Sequence, residues 1–349
     1  MSQPPESPKP KTSSRLGTIA TLGFSAACLV ALVWLAGREG LQRLSDPNWA
    51  WLAASAGAIG LFLVADVLRF DSLLSFLGLR QRPGFGPLLY ASAFGLTAGL
   101  FVTSGVGQLV GKPGLLHSQG RLALSQGFYA SLVERLLDVA MGFTLFLPLL
   151  VKLTWRPEPF GGFYILVFFL VAGAWALAVG ARLGWFLGWL YRLINRLAGW
   201  AMKMPFLPRA KLKSLLSGGS WQELSAAAPR GLRLAPPAWS VARVVSVTLR
   251  LYLMSLAFDL PVTWQTLLLG TPIIMVSAIV AITPGSLGFL DAGLLGVLAL
   301  GGVSMADSLS FLLAFRLTNF LFMPLITLGL KWLTRADGPP AAPANRHGG

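Results

Sequence analysis

Residues 282–291, Ile-Thr-Pro-Gly-Ser-Leu-Gly-Phe-Leu-Asp, interrupt a long apolar tract with a proline, two glycines and a carboxylate. Hydrocarbon supplies no water for freed backbone groups or for a charge, so an ordinary membrane-spanning helix avoids all three. Two folds accommodate such a stretch: a loop between short spans, or non-helical backbone held at membrane depth inside protein. The surrounding composition makes the membrane the relevant solvent, because the chain is 55% hydrophobic and only 12% charged, about half the charge of soluble domains. The excess of 28 Lys and Arg over 13 Asp and Glu then marks cytoplasmic loops and anionic lipid rather than nucleic acid.

One cysteine, Cys28, and two histidines, His117 and His347, leave no disulfide, zinc site or histidine acid/base centre to build. No catalytic constellation, metal site or cofactor is expected, and the chain is read as not an enzyme. Residues 1–14 read as a polar cytoplasmic arm and 336–349 as a disordered tail, with the whole of Lys331–Gly349 lacking apolar periodicity.

Between them, apolar tracts over Leu16–Ala36, Trp49–Leu68, Leu122–Val151, Phe160–Ala181, Val241–Leu260 and Leu309–Leu330 are each long enough to span. Arg182–Lys203, with tryptophans on one face and basic residues on another, reads as an interfacial amphipathic helix. It opens a basic segment that runs to Arg243. Asp66 and Arg69, spaced i,i+3, read as an ion pair at a membrane edge.

A second broken tract, Phe85–Val110, carries Thr103-Ser104-Gly105-Val106-Gly107-Gln108, similar in composition and position to Thr283-Pro284-Gly285-Ser286-Leu287-Gly288. Arg135 and Arg316 follow the two breaks at nearly equal distances, inside Arg135-Leu136-Leu137-Asp138 and Arg316-Leu317-Thr318-Asn319. Paired Gly-broken tracts in two halves are the sequence pointer to an inverted repeat with a site between the halves. If both tracts are re-entrant hairpins, both termini are cytoplasmic and most of the Lys and Arg fall on the cytoplasmic side. The fold expected is therefore all-α and polytopic, with about six full spans and two re-entrant helical hairpins.

Glu134, Arg135 and Asp138 share one helical turn. Each costs roughly 2.5–3.5 kcal/mol at the bilayer centre, so they should face a bundle interior or a polar cavity. By repeat logic Asp291 is the carboxylate nearest Arg316, whereas Arg250 has no mate in its own span. An unpaired guanidinium suits a phosphate, which it binds bidentately, and half-helix N-termini after Gly107 and Gly288 would add donors.

These elements, Pro284-Gly285-x-x-Gly288, Arg316 and Glu134-Arg135-x-x-Asp138, in this order, resemble the flippase-like transmembrane region of lysylphosphatidylglycerol synthases over residues 15–335. The resemblance implies a bundle that moves or presents lipids between leaflets of a bacterial inner membrane. A head-group cavity of Arg135, Arg316, Arg250, Glu134, Asp138, Asp291, Asn319 and Gln108 is then expected, with Gly105, Gly107, Pro284, Gly285 and Gly288 as helix breaks or hinges. The family carries an acidic residue near the first break, and Gln108 stands there in this chain. The aminoacyl-transferase part of the synthases is not in this sequence, so lipid lysylation is not expected of it. Membrane lipids, an anionic phospholipid above all, are the expected partners. The other reading is a non-catalytic accessory of lipid, hopanoid or polyisoprenoid-glycan synthesis, docked to an enzyme by segment 182–243. Homo-oligomerisation is left open.

Overall fold

The computed structural model describes residues 44–79, 82–155, 162–201, 233–280 and 284–335, with scattered positions before Leu44. The first expected span, Leu16–Ala36, the segment 204–232 and the tail beyond Arg335 lie outside the described residues.

Every regular element among the described residues is helical. Helix α1 covers Trp49–Phe76. Asn48 caps it by accepting from the Ala50 and Trp51 amides at 3.1 and 3.4 Å, which satisfies two of the four orphan donors of a helix start. Helix α2 covers Phe85–Phe101. After a break at Val102 and Thr103 comes α3, residues 104–118. It is α-helical over Ser104–Val106 and Lys112–Ser118, with a π turn over Gly107–Gly111 between them. Helix α4 covers Leu124–Trp155, α5 Gly162–Ala201 and α6 Ala235–Ala257. The second broken tract gives α7 over Trp264–Val280, a 3-10 turn over Pro284–Ser286 and α8 over Phe289–Leu300. Helix α9 covers Met305–Arg335.

Among the described residues, four helices are long and apolar enough to cross a membrane: α1, Gly162–Trp185 of α5, α6, and Met305–Thr334 of α9. The outer surface is correspondingly apolar. On α9, Leu317, Leu321, Leu325, Leu328 and Trp332 form an exposed stripe at helical spacing, which in water would be an aggregation surface but faces lipid here. The chain is an all-helical, multi-pass membrane protein.

Three sequence expectations about the elements need correction. Phe160–Ala181 and Arg182–Lys203 are not two helices, since α5 runs 40 residues without interruption. At 1.5 Å per residue that is about twice the thickness of the hydrocarbon core, so its basic end projects beyond it. The last helix continues to Arg335, past the Lys331 at which a tail was expected. And α6 starts at Ala235, six residues before its apolar run, because Pro236 and Pro237 suit the first helical turn, where no backbone donor is needed.

Helices α1 and α6 pack antiparallel along most of their length. Asn48 N donates to Ala257 O at 2.8 Å, Ser55 Oγ to Arg250 O at 3.2 Å, and the Arg243 guanidinium lies 4.8 Å from the Phe62 ring centre. Each broken tract folds into a hairpin. In the first, Gly95 and Gly99 of α2 face Gly107 and Gly111 of α3. A Cβ on Gly107 would stand 2.3 Å from Gly95 O and 2.5 Å from Gly99 N. Two Gly-xxx-Gly pairs thus let backbones approach where hydrophobic pressure between helices is absent. The second hairpin packs α7 on α8, with Gly270 against Val297 and Gly301 against Thr266.

The hairpins exchange partners: the second packs through α7 on α4, and the first packs through α2 on α9. Their first arms, α2 and α7, each have 17 residues, and α4 and α9 have 32 and 31. The two hairpin tips meet. Gly285 N donates to Val102 O at 2.8 Å, and Ser286 Oγ to Ser104 Oγ at 3.1 Å.

Candidate functional site

The charged residues collect behind and beside the joined tips. Asp66 and Arg69 are an i,i+3 pair at 3.5 Å on α1, but the membrane-edge expectation is overturned: both are almost fully buried. Arg69 Nε donates to Glu134 Oε1 at 3.2 Å, and its Nη1 pairs closely with Asp138. Lys112 Nζ lies 3.0 Å from both Asp66 Oδ2 and Glu134 Oε2, and 4.0 Å from the centre of the Phe70 ring. Arg243 Nη1 donates to Asp138 Oδ1 at 2.7 Å. Its Nε is 3.2 Å from Asp66 Oδ1, an ion pair by distance but off the line of a hydrogen bond. Arg135 completes the group, 3.9 Å from Asp138.

Among the described residues, three carboxylates therefore meet four cations, and one positive charge is left over. Such a network is stable only because nearly every charge has a close opposite. The cations differ in access. Lys112 and Arg69 are sealed, whereas the Arg135 and Arg243 side chains keep 18% and 11% of their surface. Both line a cavity of about 180 Å³ together with Asp138, Ser104, Phe62 and Leu96. A second cavity of about 130 Å³ shares the Phe62, Leu96 and Val247 walls and holds Arg250 and Asn319.

Each tip carbonyl is held by an arginine of the following long helix. Arg135 Nη2 donates to Ser104 O at 3.2 Å, and Arg316 Nη1 to Gly285 O at 2.6 Å; both contacts close a span of 31 residues. Arg316 also binds Asp291 through Nε at 2.9 Å and Nη2 at 2.5 Å, as repeat logic expects. Asp291 in turn accepts from Gly288 N at 2.9 Å, capping α8. Thr103 Oγ1 accepts from Val106 N at 3.2 Å at the start of α3. One amide at each start is thus taken up from within the chain, and the first arm begins at Ser104 rather than after Gly107.

The expected cavity residues divide accordingly. Arg135, Asp138, Arg250 and Asn319 line the two cavities. Glu134 is sealed in the ion network, Arg316 and Asp291 hold the second tip, and Gln108 is buried in the π turn beside Gly95. Among the expected breaks, Gly285 and Gly288 have φ of 58° and 84°, the left-handed region in which glycine avoids a Cβ clash. Pro284 opens the 3-10 turn. Gly105 and Gly107 are not themselves the break; they lie in the helical arm that follows it. Gly107 serves close approach instead.

Sequence reasoning missed Asp66, Arg69, Lys112 and Arg243 as site residues. Apart from the i,i+3 pair of Asp66 and Arg69, their partners lie 22 to 177 residues away, beyond any local pattern. Among the described residues, no three His, Cys, Asp or Glu side chains come together to hold a metal ion.

A helical membrane bundle with two hairpins meeting tip to tip beside a buried, net-positive ion cluster and a largely apolar cavity with charged side chains at one wall defines a class of integral membrane protein. The chain belongs to the lysylphosphatidylglycerol synthase transmembrane-region family, whose model matches residues 18–327. Comparison with curated proteins gives no match. The family places the chain among membrane proteins related to lipid handling.

Proposed function

We propose that this chain binds the head group of an anionic phospholipid in the paired cavities and passes it between the leaflets of a bacterial cytoplasmic membrane. The observation that carries this reading is the cavity fronted by Arg135 and Arg243, the two partly accessible cations of a cluster with one uncompensated positive charge. A low-dielectric wall with surplus positive charge favours a negative ligand, and the apolar walls Phe62, Leu96 and Val247 suit the glycerol and acyl-chain end of a lipid.

The two hairpins are read as halves of an inverted repeat, re-entrant from opposite sides, with both termini cytoplasmic. Equal first arms, exchanged packing partners and the matched arginine contacts on the tips support that pairing. Alternating access then amounts to rocking one half against the other about the joined tips.

Reconstitution in vesicles containing fluorescent phosphatidylglycerol tests the reading. Wild type is expected to exchange the lipid between leaflets, and Arg243→Gln to slow this at least tenfold, since loss of one buried charged hydrogen bond costs about 1.5–3 kcal/mol. Arg243→Lys keeps the charge and should retain folding with partial transfer. No exchange by the wild type, or equal exchange by wild type and Arg243→Gln of comparable melting temperature, defeats the reading.

A further inference from the structure

Arg250, which is half-buried, differs from the buried cations among the described residues. It sits on α6 seven residues from Arg243, about 10.5 Å along the axis at 1.5 Å per residue. Among the described residues it has no carboxylate partner. Nη1 donates to Asn319 Oδ1 at 3.0 Å, and the guanidinium lies 5.5 Å from the centre of the Phe315 ring. Asn319 is itself fixed, because its Nδ2 donates to Phe315 O at 2.9 Å, which leaves Oδ1 aimed at Arg250. The remaining two nitrogens, Nε and Nη2, are buried and have no hydrogen-bond partner among the described residues.

Those two nitrogens are neighbours on one edge of the guanidinium. Their N–H bonds run nearly parallel, the arrangement that meets two oxygens of a phosphate or carboxylate at once. The asparagine and the phenylalanine hold the opposite side and one face, so the bidentate edge, itself buried, is the part of the guanidinium without a partner among the described residues. A buried cation without an anion is costly, and a chain does not position one this closely by packing alone. The adjoining cavity of about 130 Å³ has the room of about four waters in bulk liquid, enough for one oxyanion.

We infer that Arg250, oriented by Asn319, is the subsite for a singly charged oxyanion of phosphodiester type, two helical turns from Arg243 and in the second of the two adjoining cavities. One guanidinium matches one negative charge, and among the described residues that line this cavity there is no lysine or second arginine for a diphosphate. The subsite rests on the reading that the cavity takes a lipid head group, and it specifies where the phosphate lies: on the Nε/Nη2 edge, with the rest of the head group directed towards Arg135, Asp138 and Arg243.

Native mass spectrometry of the full chain in detergent tests this, with phosphatidylglycerol, phosphatidylcholine and inorganic phosphate as probes. Wild type is expected to bind phosphatidylglycerol, and Arg250→Gln to bind it at least tenfold more weakly. Arg250→Lys should not restore it, because an ammonium lacks the two-pronged edge. Asn319→Ala should weaken binding less, through loss of positioning. Melting curves in lipid-free detergent separate ligand from scaffold: removing an unpaired buried cation should leave Arg250→Gln at least as stable as wild type. If millimolar phosphate displaces the lipid from wild type, the subsite takes free oxyanions as well. If it does not, the site is selective for the lipid.

Unchanged phosphatidylglycerol affinity in a folded Arg250→Gln overturns the inference. So does a large drop in lipid-free melting temperature, since a scaffold role alone produces that. The transport reading fails separately. Arg250-dependent binding without leaflet exchange keeps the subsite and removes transport; exchange with Arg250-independent binding does the reverse.

Discussion

Lys112→Met is expected to lower the stability of the folded protein by about 3–5 kcal/mol, the usual cost of removing one partner from a buried ion pair. Lys112 is fully buried and lies 3.0 Å from carboxylates on two different helices, so it ties α3 to both α1 and α4. Methionine fills much of the same volume and keeps contact with Phe70. It leaves Asp66 and Glu134 facing each other with less compensation. The measurement is thermal melting in detergent monitored by tryptophan fluorescence, with expression and monodispersity as controls.

A second variant separates charge balance from packing. Lys112→Met with Glu134→Gln removes a cation and a carboxylate together and should recover more than half of the loss, because burying a neutral pair avoids the desolvated charge. If the single variant melts within a degree or two of wild type, the network does not hold the three helices together. If the double variant is as unstable as the sum of the singles, the two groups are not coupled.

Gly107→Ala is the other large effect expected. Its Cβ would stand 2.3 Å from Gly95 O, 2.5 Å from Gly99 N and 2.7 Å from Gly99 Cα. All three are backbone atoms, and no rotamer change relieves the contact. The arms of the first hairpin must move apart, which costs about 1–3 kcal/mol for overpacking in general, and more where backbone meets backbone. The displacement also pulls the first tip from its partner, breaking the bond from Gly285 N to Val102 O at 2.8 Å. A cysteine pair introduced at the two tips, one at Ser104 and one at Ser286, reports this directly, since those side chains already touch at 3.1 Å. Rapid cross-linking in the parent and slow cross-linking with Gly107→Ala is the expected result; equal rates would show that the tips meet independently of hairpin packing. Gly105→Ala is the contrast. A Cβ there meets nothing closer than Thr103 Oγ1 at 3.9 Å, so it should behave as wild type.

That contrast also shows how far the sequence could be read. The two broken tracts stood out because glycine, proline and threonine are costly inside an apolar helix, and both did become hairpins. The pattern could not tell which glycine does what. At Gly285 a left-handed backbone is required, at Gly107 close approach, and at Gly105 neither, yet the three look alike in sequence. The Arg316–Asp291 pair was legible because aligning the two broken tracts makes Asp291 the carboxylate nearest Arg316. The i,i+3 pair of Asp66 and Arg69 was legible too, but the pairing of Arg69, Lys112 and Arg243 with Glu134 and Asp138 was not, because nothing local distinguishes a basic residue in a loop from one turned inward.

By itself the sequence determined the solvent, the helical class, the position of the two interruptions and the need to shelter Glu134, Arg135 and Asp138. These follow from transfer free energies and backbone hydrogen bonding, which act residue by residue. Only the tertiary structure decided which charges neutralise one another and which arginine is left with an edge that has no partner among the described residues. Electrostatic pairing depends on distance in space. Arg243 meets Asp138 at 2.7 Å across 105 residues of chain, while Arg250, two turns along the same helix, meets an asparagine.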